Sequence, residues 1–381
     1  MDFTLSDDQQ MIIDSFSKFL EGEIKPIAEN YKDQFIPKAE MQTVLKQLLE
    51  YGLGNGSIAE EFGGLGLDAV TIGLLQHELA RVSPDIAITT LIQMTSGKLL
   101  TAAPDHIRDA YLPPLLAGEK FGSIGMSEPG AGSEVTAVNC RAKADGEDYL
   151  INGEKMWISS GGYSDFNILL CRVNEHPVDG LTLFLVDREH GYESADINKT
   201  ALNSQSTAQL FFDDVRVPAS NMLVQPGKAL KTLLTLLASS RPLVALMALG
   251  IAKAALDEAV KYSLERNQYG KPIAGHQLIQ AKLAEMATKL EAGKLLALRA
   301  LDCIDKGLRS DVPSAMAKWY GTELACEIVN DAVQVHGGNG ITREFAVEYM
   351  YRAVRVFPFT EGTTEIQKLL IGRALTGVSA L

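Results

Sequence analysis

The pattern of apolar and polar positions divides the chain into three zones. Up to about residue 119 the pattern favours helices, because Ile12, Phe16 and Leu20 recur at helical spacing. Ser6 and Gln9, just before them, have the spacing of a capping box, which predicts the start of the first helix. The same period continues over residues 41–51 and 70–82.

The central zone, residues 120–225, has short alternating or apolar runs that predict strands. These runs cover residues 138–144, 149–151, 166–173, 181–186 and 208–215. Residues 145–148 predict a turn, and Asn152-Gly153 is a strong hairpin signal. Because no helical stretches alternate with these runs, we expect an antiparallel barrel or sandwich rather than a parallel sheet with crossover helices.

The last zone, residues 226–381, returns to helical patterning and predicts a bundle. Residues 230–266 contain one proline, Pro242, and one interior glycine, Gly250. Further helices are expected over residues 278–303, 314–335, 345–356 and 364–375. The predicted fold is therefore α+β and multidomain: an N-terminal helical domain (1–119), a central β domain (120–225) and a C-terminal four-helix-type bundle (226–381).

Composition excludes several classes of function. The net charge of −13 argues against a nucleic-acid partner, which requires an excess of Lys and Arg. The six histidines and four cysteines show no metal-ligand spacing, so we expect no metal. The N-terminus lacks a cationic signal and no run of 18 apolar residues occurs, so the expectation is a cytoplasmic protein without membrane insertion. A mature organellar protein would look the same.

A glycine-rich segment over residues 126–134 is the first candidate for chemistry. It contains Met126, Ser127, Gly132 and Ser133. Such a loop presents free backbone N–H groups and small hydroxyls, which suit carbonyl or phosphate oxygens. An ordinary tight turn between strands is the alternative interpretation.

A second candidate is the aromatic segment over residues 155–162. Trp157 is one of only two tryptophans, and with Ser159 it could flank a flat heteroaromatic ring. A tryptophan of the hydrophobic core is the alternative, because indole rings bury a large apolar area.

The third candidate is a pair of C-terminal segments, residues 334–340 and 357–367. Glu361 follows an apolar stretch and precedes Gly362, and Thr363 or Thr364 can cap a new helix. A carboxylate on a turn in an apolar setting has a raised pKa and is a better base. The alternative is an acidic residue that merely favours a helix N-terminus.

Taken together, these segments resemble the acyl-CoA dehydrogenase family. The resemblance rests on residues 61–66, 127–133, 153–158, 212–218, 266–271, 334–340 and 361–363, which occur in the family's order over nearly the whole chain. Each segment alone is weakly specific, whereas the ordered set is highly specific. The family's helical, β and helical architecture agrees with the three zones.

The resemblance implies an FAD-dependent α,β-dehydrogenation of a saturated acyl-CoA, as in fatty-acid β-oxidation. Glu361 would remove the α-proton, while the flavin takes the β-hydride. An electron-transfer flavoprotein would be the electron acceptor, and a homotetramer is the expected assembly. The residues leave three alternatives open. Two are relatives on the same fold, one acting on a carrier-protein thioester and one running as an enoyl-thioester reductase. The third is a non-enzymatic flavin-binding or scaffold protein.

The resemblance also assigns residues to the two ligands. Ser133 and Gly362 would contact the acyl-CoA substrate, and Arg241 would orient the CoA tail or the base. The residues implied for FAD are Met126, Ser127, Gly132, Ser133, Trp157, Ser159, Arg266, Gln277, Gln334, Gly337, Gly338, Thr363 and Glu365. Of these, Arg266, Gln277, Gln334, Gly337 and Gly338 would serve FAD bound mainly by a neighbouring subunit.

Two departures from the family pattern concern the substrate and the base. Thr360 stands where the family often has tyrosine, which removes a ring from the pocket wall and could admit a polar or branched acyl group. Some members carry their base near residue 240, but Ser240 cannot act as a base. We expect the acyl pocket to be walled by residues 86–94 and 236–247, with Leu91, Ile92 and Met94 apolar.

Overall fold

The structure, a computed structural model, describes residues 5–380 and opens with a helical region. Ser6 caps the first helix: its Oγ accepts from Gln9 N at 3.2 Å, and Gln9 Oε1 accepts from Ser6 N at 3.1 Å. The capping box is therefore present as predicted. The helices are α1 (Asp7–Phe19), continued by a π-helical segment (Leu20–Ile24), α2 (Lys25–Asn30), α3 (Lys38–Leu49), α4 (Ala69–Val82), α5 (Pro84–Thr101) and α6 (Asp105–Leu116).

The central region forms one eight-stranded sheet. Its strands are β1 (Gly122–Gly125), β2 (Arg141–Asp145), β3 (Asp148–Ser159), β4 (Phe166–Arg172), β5 (Leu181–Asp187), β6 (Glu193–Asp196), β7 (Thr207–Pro218) and β8 (Met222–Val224). Seven of them follow the order β6-β7-β3-β2-β4-β5-β8, and β1 pairs with β4. Most pairs are antiparallel as expected, but β1 runs parallel to β4, and β2 meets β4 at one parallel position.

The predicted hairpin at Asn152-Gly153 is wrong. These residues lie inside β3, and the hairpin turn is the two-residue connection between β2 and β3. Gly153 has φ +138 at a β-bulge against β7, where a Cβ atom would lie 2.8 Å from Cys140 Cα. The glycine is therefore needed for a close backbone approach, which a β-bulge in a strand can require as much as a turn.

The C-terminal region returns to helices. After α7 (Ala229–Glu265) a short hairpin, β9 (Asn267–Gln268) and β10 (Lys271–Pro272), leads to α8 (Gln277–Asp305). The remaining helices are α9 (Asp311–His336), α10 (Ala346–Val354) and α11 (Thr364–Thr376). Pro242 lies within α7 but does not end it. The predicted fold class, helical, β and helical, is confirmed.

Helix α7 runs through the main hydrophobic core. Residues 240–252 along it are buried without interruption, and they pack against both helical regions. By length and composition α7 could cross a membrane, but 67% of its most apolar window is buried inside the protein. Core helices of globular proteins have the same character, so this helix is weak evidence for a membrane span.

Candidate active site

Glu361 lies on a strained turn between α10 and α11. Its φ is +58, and Gly362 follows with φ +92. A left-handed conformation costs a non-glycine residue about 1–2 kcal/mol, so surrounding contacts must hold it. Thr363 ends the turn, because its Oγ1 accepts from Ile366 N at 3.3 Å and caps α11. The segment over residues 358–363 is called the base turn.

Side chains from three helices hold the base turn through its carbonyl oxygens. Arg241 Nε of α7 donates to Glu361 O at 3.2 Å. Lys318 Nζ of α9 donates to Pro358 O at 2.5 Å and to Gly362 O at 2.7 Å. Gln367 Nε2 of α11 donates to Gly362 O at 3.0 Å. The backbone geometry of Glu361 is therefore determined by its neighbours.

The Glu361 carboxylate faces α7. Its Oε2 accepts a hydrogen bond from Ser240 Oγ at 3.0 Å. The residue is half-buried. Burial raises the pKa of Glu361 above its usual range, although the Ser240 hydrogen bond and the charges of Arg241 and Lys318 oppose the rise. The group is a carboxylate of raised pKa, which is the property that a general base requires.

The two candidate segments of the β region lie side by side. Met156 N donates to Ser127 O at 2.9 Å, which places the glycine-rich loop against β3. The side chain of Lys155 on β3 also contacts the loop: its Nζ donates to Glu128 Oε1 at 2.7 Å and to Met126 O at 3.2 Å. Glu128 also accepts from two backbone N–H groups at residues 139 and 140. A buried ion pair thus fixes the loop to the strand.

Trp157 is not a core tryptophan. Its side chain is 57% exposed, and its φ is +66 at a second bulge of β3 against β7. Ser159, at the end of β3, is half-buried. An exposed indole on a strained bulge, next to the Ser127 loop, offers a flat face to a planar ligand.

The end of the glycine-rich loop is open. Gly132 and Ser133 are exposed, and a Cβ atom at Gly130 or Gly132 would meet nothing within 4 Å. This leaves room for a ligand beside backbone N–H groups, as the predicted nest requires.

Helix α7 contacts the base turn through Ser240 and Arg241. Met126 of the glycine-rich loop and Leu236 of α7, one turn before Ser240, both pack against one apolar cluster. Thr363 is half-buried and Glu365 exposed at the start of α11, next to the base turn.

The other predicted cofactor residues form a separate group at the far end of α7. Arg266 caps α7, Gln277 begins α8, and both are exposed. Gln334, Gly337 and Gly338 are exposed at the end of α9. Tyr262 connects the two parts, because it stacks on His336 at 4.3 Å and its hydroxyl accepts from Asn339 Nδ2 at 3.0 Å. The structure does not bring this group to Glu361 within one chain.

The predicted walls of the acyl pocket pack together in one core. Leu91 and Met94 of α5 share a buried cluster with Leu243 and Met247 of α7, and Ile92 packs against it. Helix α5 also buries polar side chains that the apolar prediction overlooked, namely Asp85, Thr89, Thr90, Gln93, Thr95 and Ser96. Two surface grooves, of about 830 and 560 Å³, lie along α1 and along the start of α7.

Five residues of the site were not assigned a role from the sequence: Glu128, Lys155, Ser240, Lys318 and Gln367. Lys155 and Glu128 stand inside the quoted motifs, but nothing in their spacing shows that they pair. Lys318 carries no sequence signal, and lysines are rarely fully buried. Within residues 5–380, no group of three or more His, Cys, Asp or Glu side chains is arranged to hold a metal ion.

Family models of the acyl-CoA dehydrogenases match all three regions. The N-terminal domain model matches residues 6–119, the middle domain model residues 123–215, and the C-terminal domain model residues 229–376.

Curated relatives cover nearly the whole chain. A probable acyl-CoA dehydrogenase, YngJ of Bacillus subtilis, is 34% identical over 98% of this chain and 100% of the relative. The 3-(aryl)acrylate reductase of Clostridium sporogenes is 36% identical over 94% and 95%. Subunit CarC of the caffeyl-CoA reductase-Etf complex of Acetobacterium woodii is 34% identical over 88% and 89%.

Solved structures are similar to this chain over nearly its whole length. Butyryl-CoA dehydrogenase from Megasphaera elsdenii superimposes with a TM-score of 0.93 at 31% identity, covering 98% of this chain and 100% of that one. A glutaryl-CoA dehydrogenase from Mycobacterium smegmatis in complex with FADH2 gives 0.91 at 28%, covering 99% and 96%. A chain in the structure of the electron transferring flavoprotein of Acidaminococcus fermentans gives 0.94 at 32%, covering 99% and 100%.

Proposed function

Since this chain belongs to the acyl-CoA dehydrogenase family, a family of FAD-dependent oxidoreductases, we propose that it oxidises a saturated acyl-CoA to the trans-2-enoyl-CoA. The observation that carries the proposal is the Glu361 carboxylate, held on a left-handed turn against Ser240. Fatty-acid β-oxidation in the cytoplasm is the setting we propose.

Glu361 is the general base of the proposed reaction. The α-proton of an acyl thioester is weakly acidic, so the base must combine high proton affinity with an ionised resting state. Burial raises the proton affinity of Glu361, while Ser240, Arg241 and Lys318 favour its ionised form. The backbone N–H of Glu361 is the donor we propose for the thioester oxygen, where negative charge develops as the proton leaves. Gly362 and Ser133 would border the thioester.

The residues present fit FAD. Trp157 offers an exposed indole face, the Met126–Ser127 backbone lies beside it, and Gly132 leaves open space. With Ser159 and Ser133 these residues would hold the flavin, and Thr363 with Glu365 would lie near the phosphates of FAD. Bound FAD supplies a hydride acceptor for the β-carbon. Arg266, Gln277, Gln334, Gly337 and Gly338 are the residues we propose for the adenosine and pyrophosphate of FAD from a neighbouring subunit.

A homotetramer and an electron-transfer flavoprotein are the partners we propose. The end of α7 that carries Arg266 is surrounded by exposed apolar residues: Tyr269 is 94% exposed, Leu278 84% and Ile341 78%. Such a patch is typical of a subunit interface. One relative is named as a subunit of a complex with Etf, which supports an electron-transfer flavoprotein as acceptor.

The direct test is anaerobic reduction of the bound flavin. Straight-chain, branched, cyclic and aryl-substituted acyl-CoAs would be mixed with the oxidised holoenzyme, and the loss of flavin absorbance recorded. Bleaching by a saturated acyl-CoA supports the proposal, and the best substrate defines the acyl class. If no saturated acyl-CoA bleaches the flavin, while the same protein retains FAD, the proposal is contradicted.

Reduction of an enoyl thioester is the second candidate, because two of the relatives described above are named as reductases. Chemically reduced enzyme would then be reoxidised by 2-enoyl- or arylacryloyl-CoA much faster than saturated acyl-CoA reduces the oxidised enzyme. In that direction Glu361, protonated, donates the α-proton, so its raised pKa serves either reaction. Comparing the same thioesters on a carrier protein tests the remaining alternative.

The Ser240 hydrogen bond should set the acid limb of the pH profile. Glu361 must be ionised to act as a base, and the Ser240 hydrogen bond lowers its pKa. Ser240→Ala should therefore raise that pKa and shift the acid limb of kcat to higher pH. The measurement is kcat against pH with a saturated acyl-CoA.

Ser239→Ala is the matched control for this experiment. Ser239 Oγ donates to Leu236 O at 2.8 Å, whereas the serine hydroxyl that donates to Glu361 is that of Ser240. Its profile should coincide with the wild-type profile. An unshifted acid limb in Ser240→Ala would show that the hydrogen bond does not influence the base.

Arg266→Ala should weaken retention of FAD. Its guanidinium is exposed and suited to bidentate phosphate recognition, and one charge-assisted hydrogen bond is worth about 1.5–3 kcal/mol. The ratio of flavin to protein after gel filtration should fall. Arg299→Ala is the control, since Arg299 is exposed on α8 about 33 Å along the helix from Gln277. Equal flavin content in both variants would exclude a role for Arg266.

A further inference from the structure

Lys318 is an unusual residue for the interior of a helical core. Its side chain is 0% exposed, as is that of Lys155. Lys155 forms an ion pair with Glu128, whereas no carboxylate in the part of the chain that the structure describes pairs with Lys318. A buried ammonium group without a counter-ion is costly, so its retention calls for a specific partner.

The partners of Lys318 are the two ends of the base turn. Pro358 O lies three residues before Glu361, and Gly362 O directly follows it; Lys318 Nζ bridges the two. The Thr364 N–H also donates to Pro358 O at 3.0 Å, which closes the turn from the other side. One nitrogen therefore joins both carbonyls across the strained residue.

We propose that Lys318 is a positioning residue that holds Glu361 in its left-handed conformation and keeps the carboxylate directed at α7. This inference rests on the proposed function, because it concerns the base of that reaction. Arg241 and Gln367 hold only the later part of the turn, at residues 361 and 362. Lys318 is the side chain that also ties down Pro358, where the chain enters the turn.

The charge of Lys318 has a separate effect from its hydrogen bonds. Burial and the charge of Arg241 on α7 together lower the pKa of Lys318 to about 7. Glu361 on the turn, Glu323 on α9 and Glu365 on α11 oppose this. When protonated, Lys318 lowers the pKa of Glu361. Geometry and charge can therefore be separated by substitution.

The experiment compares Lys318→Met, Lys318→Gln and Lys289→Met in the flavin-loaded enzyme. Methionine keeps the length but donates nothing, glutamine keeps a neutral N–H donor, and Lys289 is a half-exposed control on α8 that pairs with Glu327. Lys318→Met should lower kcat about 100-fold, as expected for a misplaced catalytic group, with KM changed less than about threefold. Its acid limb should move to higher pH. Lys318→Gln should recover part of kcat but keep the shifted limb.

A second readout does not depend on activity. Amide hydrogen exchange over residues 358–364 should be faster in Lys318→Met than in Lys289→Met, since the turn loses its hold. If Lys318→Met does not fold, Lys318→Gln is judged alone by the limb shift and by exchange against wild type.

Two results would overturn the inference. One is a kcat within threefold of the Lys289→Met control together with unchanged exchange over the turn. The other is a parallel loss of kcat, KM, FAD and thermal stability without a shift of the acid limb, which indicates a purely structural lysine. A wild-type protein inactive on every acyl-CoA would refute the proposed function, whereas the exchange experiment would still decide whether Lys318 holds the turn.

Discussion

Glu361→Gln should leave a folded protein that retains FAD and binds acyl-CoA but turns over about 10⁴-fold more slowly, the upper range for removal of a general base. The amide is nearly isosteric with the carboxylate, and its oxygen can still accept from Ser240 Oγ. It cannot take up the α-proton. The measurement is single-turnover reduction of the flavin by a saturated acyl-CoA under anaerobic conditions.

Glu291→Gln is the matched control, because Glu291 is exposed on α8 and far in sequence from the base turn. Its rate should equal that of wild type. Flavin content and acyl-CoA affinity are measured in both variants, so that a loss of binding is not mistaken for a loss of chemistry. If Glu361→Gln keeps a rate within tenfold of wild type, another group takes the proton and the assignment fails.

Lys155→Met should destabilise the protein by about 3–5 kcal/mol and release much of its FAD. The substitution leaves the Glu128 carboxylate buried without its cation, which is the costly way to break a buried ion pair. It also removes the donor to Met126 O, so the Ser127 loop loses a second attachment to β3. Urea unfolding and the flavin-to-protein ratio are the measurements.

Lys143→Met is the control on the neighbouring strand β2, where the lysine is exposed. Its effect should stay below about 1 kcal/mol, as is usual for surface substitutions. The double variant Lys155→Met/Glu128→Gln should regain part of the lost stability, because no unpaired charge remains. Similar unfolding free energies for Lys155→Met and Lys143→Met would show that the ion pair contributes little.

Periodicity predicted most of the helices because their apolar positions face one continuous core. Residues 230–266 were expected as a helix, and α7 covers Ala229–Glu265. The pattern also predicts a helix over residues 364–375, and α11 covers Thr364–Thr376. The position of Glu361 before a helix could also be read from the sequence, since Thr363 is a good N-cap. Its left-handed backbone could not, because tertiary contacts impose it.

The wrong hairpin prediction arose where one local signal has two physical causes. Asn-Gly favours a hairpin turn, but it also permits a bulge, and the close approach of Cys140 to Gly153 decides between them. The sequence also left two interpretations open for Trp157, and the bulge at this residue turns its indole outward, away from the core. Only the pairing of β3 with β7 shows both features.

Buried charges were the least predictable part of the site. Lys155 and Glu128 are 27 residues apart, and Lys318 contacts carbonyls 40 and 44 residues away. Such contacts depend on how strands and helices pack, and a lysine in the sequence looks the same whether it is exposed or enclosed. The three-dimensional fold is therefore needed to find the residues that support Glu361.

Helix α7 fixes the distance between the base turn and the group of residues around Arg266. From Pro242, beside the base turn, to Arg266 it rises about 36 Å, at about 1.5 Å per residue. An insertion of one residue between them would lengthen this span and turn Arg266 about 100° around the axis. We therefore expect a change in residue number within this length of helix to be more damaging than replacement of its exposed side chains, because either end would lose its register with the other.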